Sequence, residues 1–357
     1  MQIKPTNFER KYMSTQRTEI SDLGEFGLID RISQQFTPAN EETILGIGDD
    51  AAVIDAKGLQ AVVTSDMLLE GVHFDLAFMP LQHLGYKAVA VNVSDIAAMN
   101  ALPKQITVNL GLSNRFSVEA VEEFYRGVKA ACENYKVDLI GGDTTSSMSG
   151  LVISVTAVGL APSEKISKRS GAREKDIICV TGDLGAAYLG LQVLEREKQV
   201  FMTNPNMQPQ LDKYDYIVHR QLRPEARMDI IHELAELNII PTSMIDISDG
   251  LASELMHLSR KSNVGVRIYE DKLPVDKQTY DTAFELTIDA TTAALNGGED
   301  YELLFTVSEK DMEKIKNHAD IHLIGYIQSA EKGNIMVTKG ESEIELVAQG
   351  WKHFTKS

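Results

Sequence analysis

The chain has 357 residues, which at roughly 100–200 residues per domain points to two domains, each large enough to bury a core. Apolar residues make up 43% and charged residues 24%, with 25 Gly and 10 Pro; collagen, coiled coil and wholesale disorder are excluded. The balance of 35 basic against 52 acidic side chains leaves a net charge of −17, a field that repels phosphate backbones and argues against a nucleic-acid partner.

The leader over residues 1–19, MQIKPTNFERKYMSTQRTE, places charges where a secretory signal needs an apolar core. No run approaches the ~20 apolar residues of a membrane span; the longest, Leu151 to Ala161, is interrupted by Ser154 and Thr156. A cytoplasmic protein without membrane contact is expected, with 1–19 as a polar extension. Beyond the leader, β-rich runs at 60–66, 105–112 and 151–160 alternate with helical stretches around 82–100 and 117–135. Cys132 shares a helical face with Val121, Phe124 and Val128, and Cys179 lies in the apolar run IICV. Both read as reduced core residues, with no disulfide and no thiolate metal site.

A polar segment at 161–176 breaks the apolar pattern before the strand IICVTGD (177–183). The boundary is placed there, giving an N-terminal domain over 20–162 and a C-terminal domain over 163–357. In the second half, helices are predicted near 184–197, 224–238 and 249–262. Strands are predicted near 243–247, 264–269 and 301–307, followed by a group from 321 to 347. Residues 200–216, rich in Asn, Gln, Pro and Met, read as a surface loop or insertion. Strands arrive in groups without helices strictly between them, which favours α+β, two sandwich domains of strands and helices, over a doubly wound parallel sheet.

Aspartate is costly to bury, yet it recurs here inside or at the ends of apolar runs. Asp49 and Asp50 stand in LGIGDDAAVI, Asp66 in AVVTSDMLLEG, Asp95 in AVNVSDIAAM, Asp143 in DLIGGDTT, and Asp246 with Asp249 in MIDISDGL. Each alone also reads as a turn or a helix cap, and Asp249 could cap the helix that follows it. Together, like charges at strand ends need a multivalent cation, and hard oxygen ligands select Mg²⁺ or Ca²⁺ over zinc. Several Mg²⁺ ions on a polyphosphate such as a nucleoside triphosphate are inferred. Gly46, Gly48, Gly141 and Gly142 allow backbone N–H groups to approach anionic oxygens, and Lys168 or Arg169 could add positive charge, although a basic loop is equally a solvated one. There is no GxxxxGK[ST] loop, no full dinucleotide fingerprint and no protein-kinase signature. His73 and His353 have no nucleophile partner in sequence, so a metal-rich, base-poor inventory points to phosphoryl transfer.

The motifs GIGDDAAV, TSDMLLEGVHF, YKAVAVNVSDIAAM, LIGGDTT, KRSGA, TGDLG, LRPEAR, IDISDGL and GGEDYELLF, in that order, resemble the thiamine-monophosphate kinase family, from about Gly24 to Phe354. That family sits in a superfamily resembling aminoimidazole ribonucleotide synthetase. The resemblance implies a PurM-like fold, a homodimer whose N-terminal domains pair their mixed sheets, and transfer of the ATP γ-phosphoryl group to thiamine monophosphate. By motif position it implies Mg²⁺ at Asp50, Thr64, Ser65, Asp66, Asp95, Asp143, Asp246 and Asp249. It implies nucleotide contacts at Gly142, Arg169 and Ser248, and thiamine contacts at His73, Glu299 and Trp351. Trp351 also reads as a core anchor and Glu299 as a turn residue. KRSGA stands where a Thr-Arg-Ser-Gly form is common, which keeps Arg169 in place. No general base is expected beyond the metal and phosphate ligands, because a phosphate monoester with a second pKa near ~6 is already largely dianionic. The competing readings are a sibling ATP-dependent synthetase and a non-catalytic Mg²⁺-nucleotide-binding regulator.

Overall fold

The computed structural model describes residues 31–32, 34–45 and 53–349; the 1–19 leader, Asp50 and Trp351 lie outside the described residues. Strands β1 (Thr43–Leu45) and β2 (Val53–Ile54) form an antiparallel pair. The first half is then built on a mixed sheet of β3 (Gln60–Leu69), β4 (Leu102–Leu112), β5 (Asp138–Ser146) and β6 (Val152–Ala161), ordered β3-β6-β4-β5. Only β4 and β5 run parallel. Alternation along β3 turns Thr64, Asp66 and Leu68 towards one face and leaves Val63, Ser65 and Met67 exposed on the other.

Helices α1 (Leu81–Ala98) and α2 (Val118–Tyr135) pack together beside this sheet. Ser117 caps α2 by accepting the Ala120 N–H. The helix buries Val121, Phe124, Val128 and Cys132, the face expected from the sequence. Burial pushes the Cys132 thiol up to about 12, so it remains a thiol. In α1, by contrast, every residue from Leu84 to Ala98 is buried except Asp95. A helix without a solvent face belongs between two layers.

The second layer is a seven-stranded mixed sheet of β7 (Ile177–Thr181), β8 (Ser243–Asp246), β9 (Gly265–Tyr269), β10 (Leu303–Val307), β11 (Ile321–Gln328), β12 (Ile335–Val337) and β13 (Glu343–Glu345), ordered β13-β12-β9-β11-β7-β10-β8. Only β12 and β9 run parallel. Its helices are α3 (Ala186–Thr203), α4 (Asp215–Leu222), α5 (Met228–Glu236), α6 (Leu251–Ser262), α7 (Lys277–Glu285), α8 (Ala290–Asn296) and α9 (Glu309–Ile315). Helix α1 touches β3, β4 and β6 of the first sheet, and β8, α4 and α5 of the second half. The architecture is α+β in two parts, as expected, and no described helix is long and apolar enough to cross a membrane.

DLIGGDTT lies on strand β5. Two differences from the sequence reading have physical causes. The expected loop at 200–216 is shorter, because α3 runs to Thr203 and α4 starts at Asp215; the exposed stretch between them keeps the loop character. Helices α7, α8 and α9, of 9, 7 and 7 residues, span too few turns for hydrophobic periodicity to register.

Helices α1 and α2 cross at glycines. A Cβ at Gly127 would lie 1.8 Å from the Gln82 carbonyl oxygen, and one at Gly85 would lie 2.0 Å from that of Phe124. No side chain fits there unless the helices separate. Gly127→Ala is therefore expected to cost about 1–3 kcal/mol or more in urea denaturation despite alanine's better helix propensity. A variant within about 0.5 kcal/mol of the parent would show that the crossing is not tight.

Candidate active site

One turn of α1 gathers two strands, one from each half of the chain. Asn92 Oδ1 accepts the Asp66 backbone N–H at 3.0 Å, Ser94 Oγ donates to Asp246 Oδ2 at 2.7 Å, and Asp95 Oδ2 accepts the Thr64 hydroxyl at 2.6 Å. The middle of β3 and the end of β8 are thereby held against the same helical turn. Burial, followed by repulsion from Asp95, raises the Asp66 carboxyl to about 6 and that of Asp246 to about 7. Burial also raises Asp95, opposed by the Thr64 hydrogen bond and the Arg169 charge. Among the described residues, Arg169 is the positive charge that acts on Asp95 and Asp246, and it leaves both carboxyls raised.

The corner after β8 completes the cluster. Gly250 is the N-cap of α6, at φ 113°, and no side chain caps the helix. Asp249 is therefore not spent as a cap, and its backbone N–H donates to Glu254 Oε1 at 3.0 Å. Glu254 is only 3% exposed, and burial raises it to about 8. The sequence reading missed it; the available signal was a Glu beside the apolar stripe of Leu251, Leu255 and Leu258. Arg169 is held by its backbone, whose carbonyl accepts the Ser243 hydroxyl at 3.1 Å and the Ser262 hydroxyl at 3.3 Å. Its charge also acts on Asp246 and Glu254, lowering both.

The cluster opens into a cleft of about 1770 Å³ that runs from Ser65 and Asp66 past Asp95, Asp246, Ser248 and Asp249 to Glu299. That volume exceeds the ~300–1,000 Å³ usual for one small ligand and accommodates two. Leu69, Phe74, Phe78, Leu191 and Ile288 form its apolar lining. His73 lies among them, its Nδ1 accepting the Leu69 N–H at 3.1 Å. At the rim, Lys198 of α3 pairs with Asp75, joining the two halves of the chain across the cleft.

Two expected residues are not brought to this cluster. Asp143 and Gly142 lie on β5, the far edge of the sheet from β3. Three strand spacings of about 4.8 Å put them roughly 14 Å from Asp66. Gly142 has a structural reason to be glycine, since a Cβ there would lie 1.9 Å from the Val108 carbonyl oxygen. Ser65 borders the cleft, but its hydroxyl donates to the Val155 carbonyl and accepts from Thr156, on the sheet face opposite Thr64 and Asp66. Among the described residues, no group of three or more His, Cys, Asp or Glu could hold a metal ion by itself. Mg²⁺ usually retains several waters and takes one or two carboxylates plus substrate phosphates, and the oxygen donors gathered here suit that mode.

The sequence matches the AIR synthase related protein N-terminal domain over residues 48–161 and the corresponding C-terminal domain over 173–338. The thiamine-monophosphate kinase of Bacillus subtilis is 36% identical over 343 residues, covering 93% of this chain and 100% of that protein. The chain belongs to the thiamine-monophosphate kinase family. Solved members of this kinase family share its fold. The Stenotrophomonas maltophilia enzyme superposes with a TM-score of 0.76 at 34% identity, over 91% of this chain and 98% of that one. AaThiL complexed with AMPPCP and TMP gives 0.71 at 34% identity, over 96% and 100%.

For a kinase of this family, the raised carboxyl groups have a measurable consequence. Asp66, Asp246, Glu254 and the buried Asp300, which burial raises to about 7, all bind protons more tightly in the folded chain than in the unfolded one. The folded state is favoured while they stay protonated, and that advantage is lost as pH rises through their folded values. The thermal midpoint of the chelator-treated protein is expected to fall between about pH 4 and pH 8, with a shallower fall in Asp246→Asn. A midpoint that rises across that range in scanning calorimetry would contradict the assignment.

Proposed function

We propose that the chain transfers the γ-phosphoryl group of ATP directly to thiamine monophosphate, giving thiamine diphosphate and ADP in thiamine biosynthesis. The observation that carries this reading is similarity to thiamine-monophosphate kinases along nearly the whole chain, with the acid cluster at the wall of a cleft large enough for both substrates. In this reading the enzyme is a cytoplasmic homodimer. Val63 and Met67, exposed on the open face of β3, support sheet pairing between two copies.

Asp66, Asp95, Asp246 and Asp249, with the Thr64 hydroxyl, would hold Mg²⁺ on the cleft side; the family resemblance adds Asp50, together with Ser65 on the opposite sheet face and Asp143 on the far strand. Bound there, Mg²⁺ supplies neutralisation of phosphate charge. Ser248 and Arg169 would meet the nucleotide, with Gly142 on the far strand; His73, Glu299 and Trp351 would meet the thiamine moiety. The acceptor phosphate is largely dianionic at neutral pH and needs no base. The protein's part is to place the two phosphates in line and to exclude water. Asn92 and Ser94 serve that placement by fixing Asp66 and Asp246 before substrate arrives.

Incubation with MgATP and thiamine monophosphate is expected to release ADP and form thiamine diphosphate by chromatography. Thiamine, an aminoimidazole-type acceptor or no acceptor should give no such product, and ATP bound without acceptor-dependent turnover would defeat the reading. Asp95→Asn should lower kcat by about two orders of magnitude or more with circular dichroism unchanged. Near-normal turnover at saturating Mg²⁺ would remove Asp95 from the ligand set. Mg²⁺ should also raise the thermal midpoint more at pH 8 than at pH 5, because its carboxylate ligands are ionised at the higher pH.

A further inference from the structure

We propose that Lys87 and Gln221 are positioning residues that hold Glu299 for the acceptor substrate, so that acceptor recognition depends on a lysine buried where the two halves of the chain meet. The proposal deepens the assignment of Glu299 to the thiamine side of the cleft and rests on it.

Lys87 lies in the apolar run YKAVAVNV of α1 and its side chain is 1% exposed. Its Nζ donates to Glu299 Oε2 at 2.9 Å and to the Gln221 main-chain carbonyl at 3.2 Å. Gln221, at the C-terminal end of α4, donates its Nε2 to the same Glu299 oxygen at 2.8 Å. Both side-chain donors therefore converge on Oε2. Glu299 borders the cleft with its side chain 29% exposed, which leaves Oε1 as the acceptor for an N–H donor or cationic ring.

The backbone beneath is fixed as well. Glu299 adopts a left-handed φ of 59°, between Gly298 at 72° and Tyr301 at 52°. Its N–H donates to the Ser248 carbonyl at 2.7 Å, and that of Tyr301 donates to the Ile247 carbonyl at 2.9 Å. Non-glycine residues persist in that region only where the surroundings over-determine them, a mark of functional segments. Gln221 orients its amide towards Glu299 while its own buried Oε1 finds no partner among the described residues. A buried ion pair that served packing alone would be replaceable by apolar side chains. Here the charge fixes one oxygen of a carboxylate at the cleft wall, 212 residues away in the chain.

The test is steady-state kinetics of full-length Lys87→Met, Glu299→Gln and the double variant, with ATP and thiamine monophosphate varied separately and thermal midpoints recorded. Lys87→Met removes the buried charge and leaves a carboxylate that already reaches solvent. It is expected to raise KM for thiamine monophosphate about tenfold while KM for ATP stays within about twofold. Because Lys87 acts through Glu299, the double variant should be no worse in acceptor KM than Glu299→Gln alone. Its midpoint should recover relative to Glu299→Gln, in which the buried lysine has lost its counter-charge. Should Lys87→Met fail to fold, Gln221→Leu carries the same comparison. An acceptor KM unchanged in Lys87→Met, or shifted equally with that for ATP, overturns the clamp. An acceptor KM unchanged in Glu299→Gln overturns the assignment of Glu299 itself, which separates the two failures.

Discussion

The burial of α1 on all sides is the constraint from which the rest of this structure follows. A helix with no solvent face must be covered by two layers, so its packing joins the four-stranded sheet to the seven-stranded one. The polar residues along it can persist only where partners reach them. Asn92, Ser94 and Lys87 each find such a partner in another element: Asp66 on β3, Asp246 on β8, and Glu299 after α8. The cost of burying polar groups is thus offset by contacts that assemble a site.

The same burial explains the electrostatic character of the cluster. Carboxylates brought together at the junction lose hydration, and Arg169 only partly compensates them. In the unliganded protein these carboxyls hold their protons to higher pH than ordinary carboxylates do, and cation binding and proton release become linked events. An arrangement costly in the absence of ligand is well suited to one that arrives with divalent cations.

Much of this was legible in the sequence, and the failures are informative. The acidic motifs announced themselves because Asp in apolar runs conflicts with burial, and the structure brings Asp66, Asp95, Asp246 and Asp249 to one cleft. Asp143 did not join them, since motif order carries no information about strand order, and β5 lies at the edge opposite β3. Helix α1 was predicted, but its place between the layers was not, because periodicity is silent when every face is apolar. Lys87 was passed over for a similar reason: a lone lysine in an apolar stretch has no meaning until its distant carboxylate is known. Glu254 hid behind the strong SDG signal beside it, and Asp50 and Trp351 lie outside the described residues.

The Lys198–Asp75 pair gives the cleft a mechanical character of its own. At the back, the two halves are joined by a helix packed into the hydrophobic core. At the mouth, they are joined by an ion pair whose side chains are 23% and 33% exposed, an interaction of the kind worth under about 1 kcal/mol. The enclosure is thus stiff at its hinge and soft at its latch. The cheapest way to widen the entrance is to exchange one counter-ion at the rim for another, a rearrangement of side chains that leaves both domains where they are.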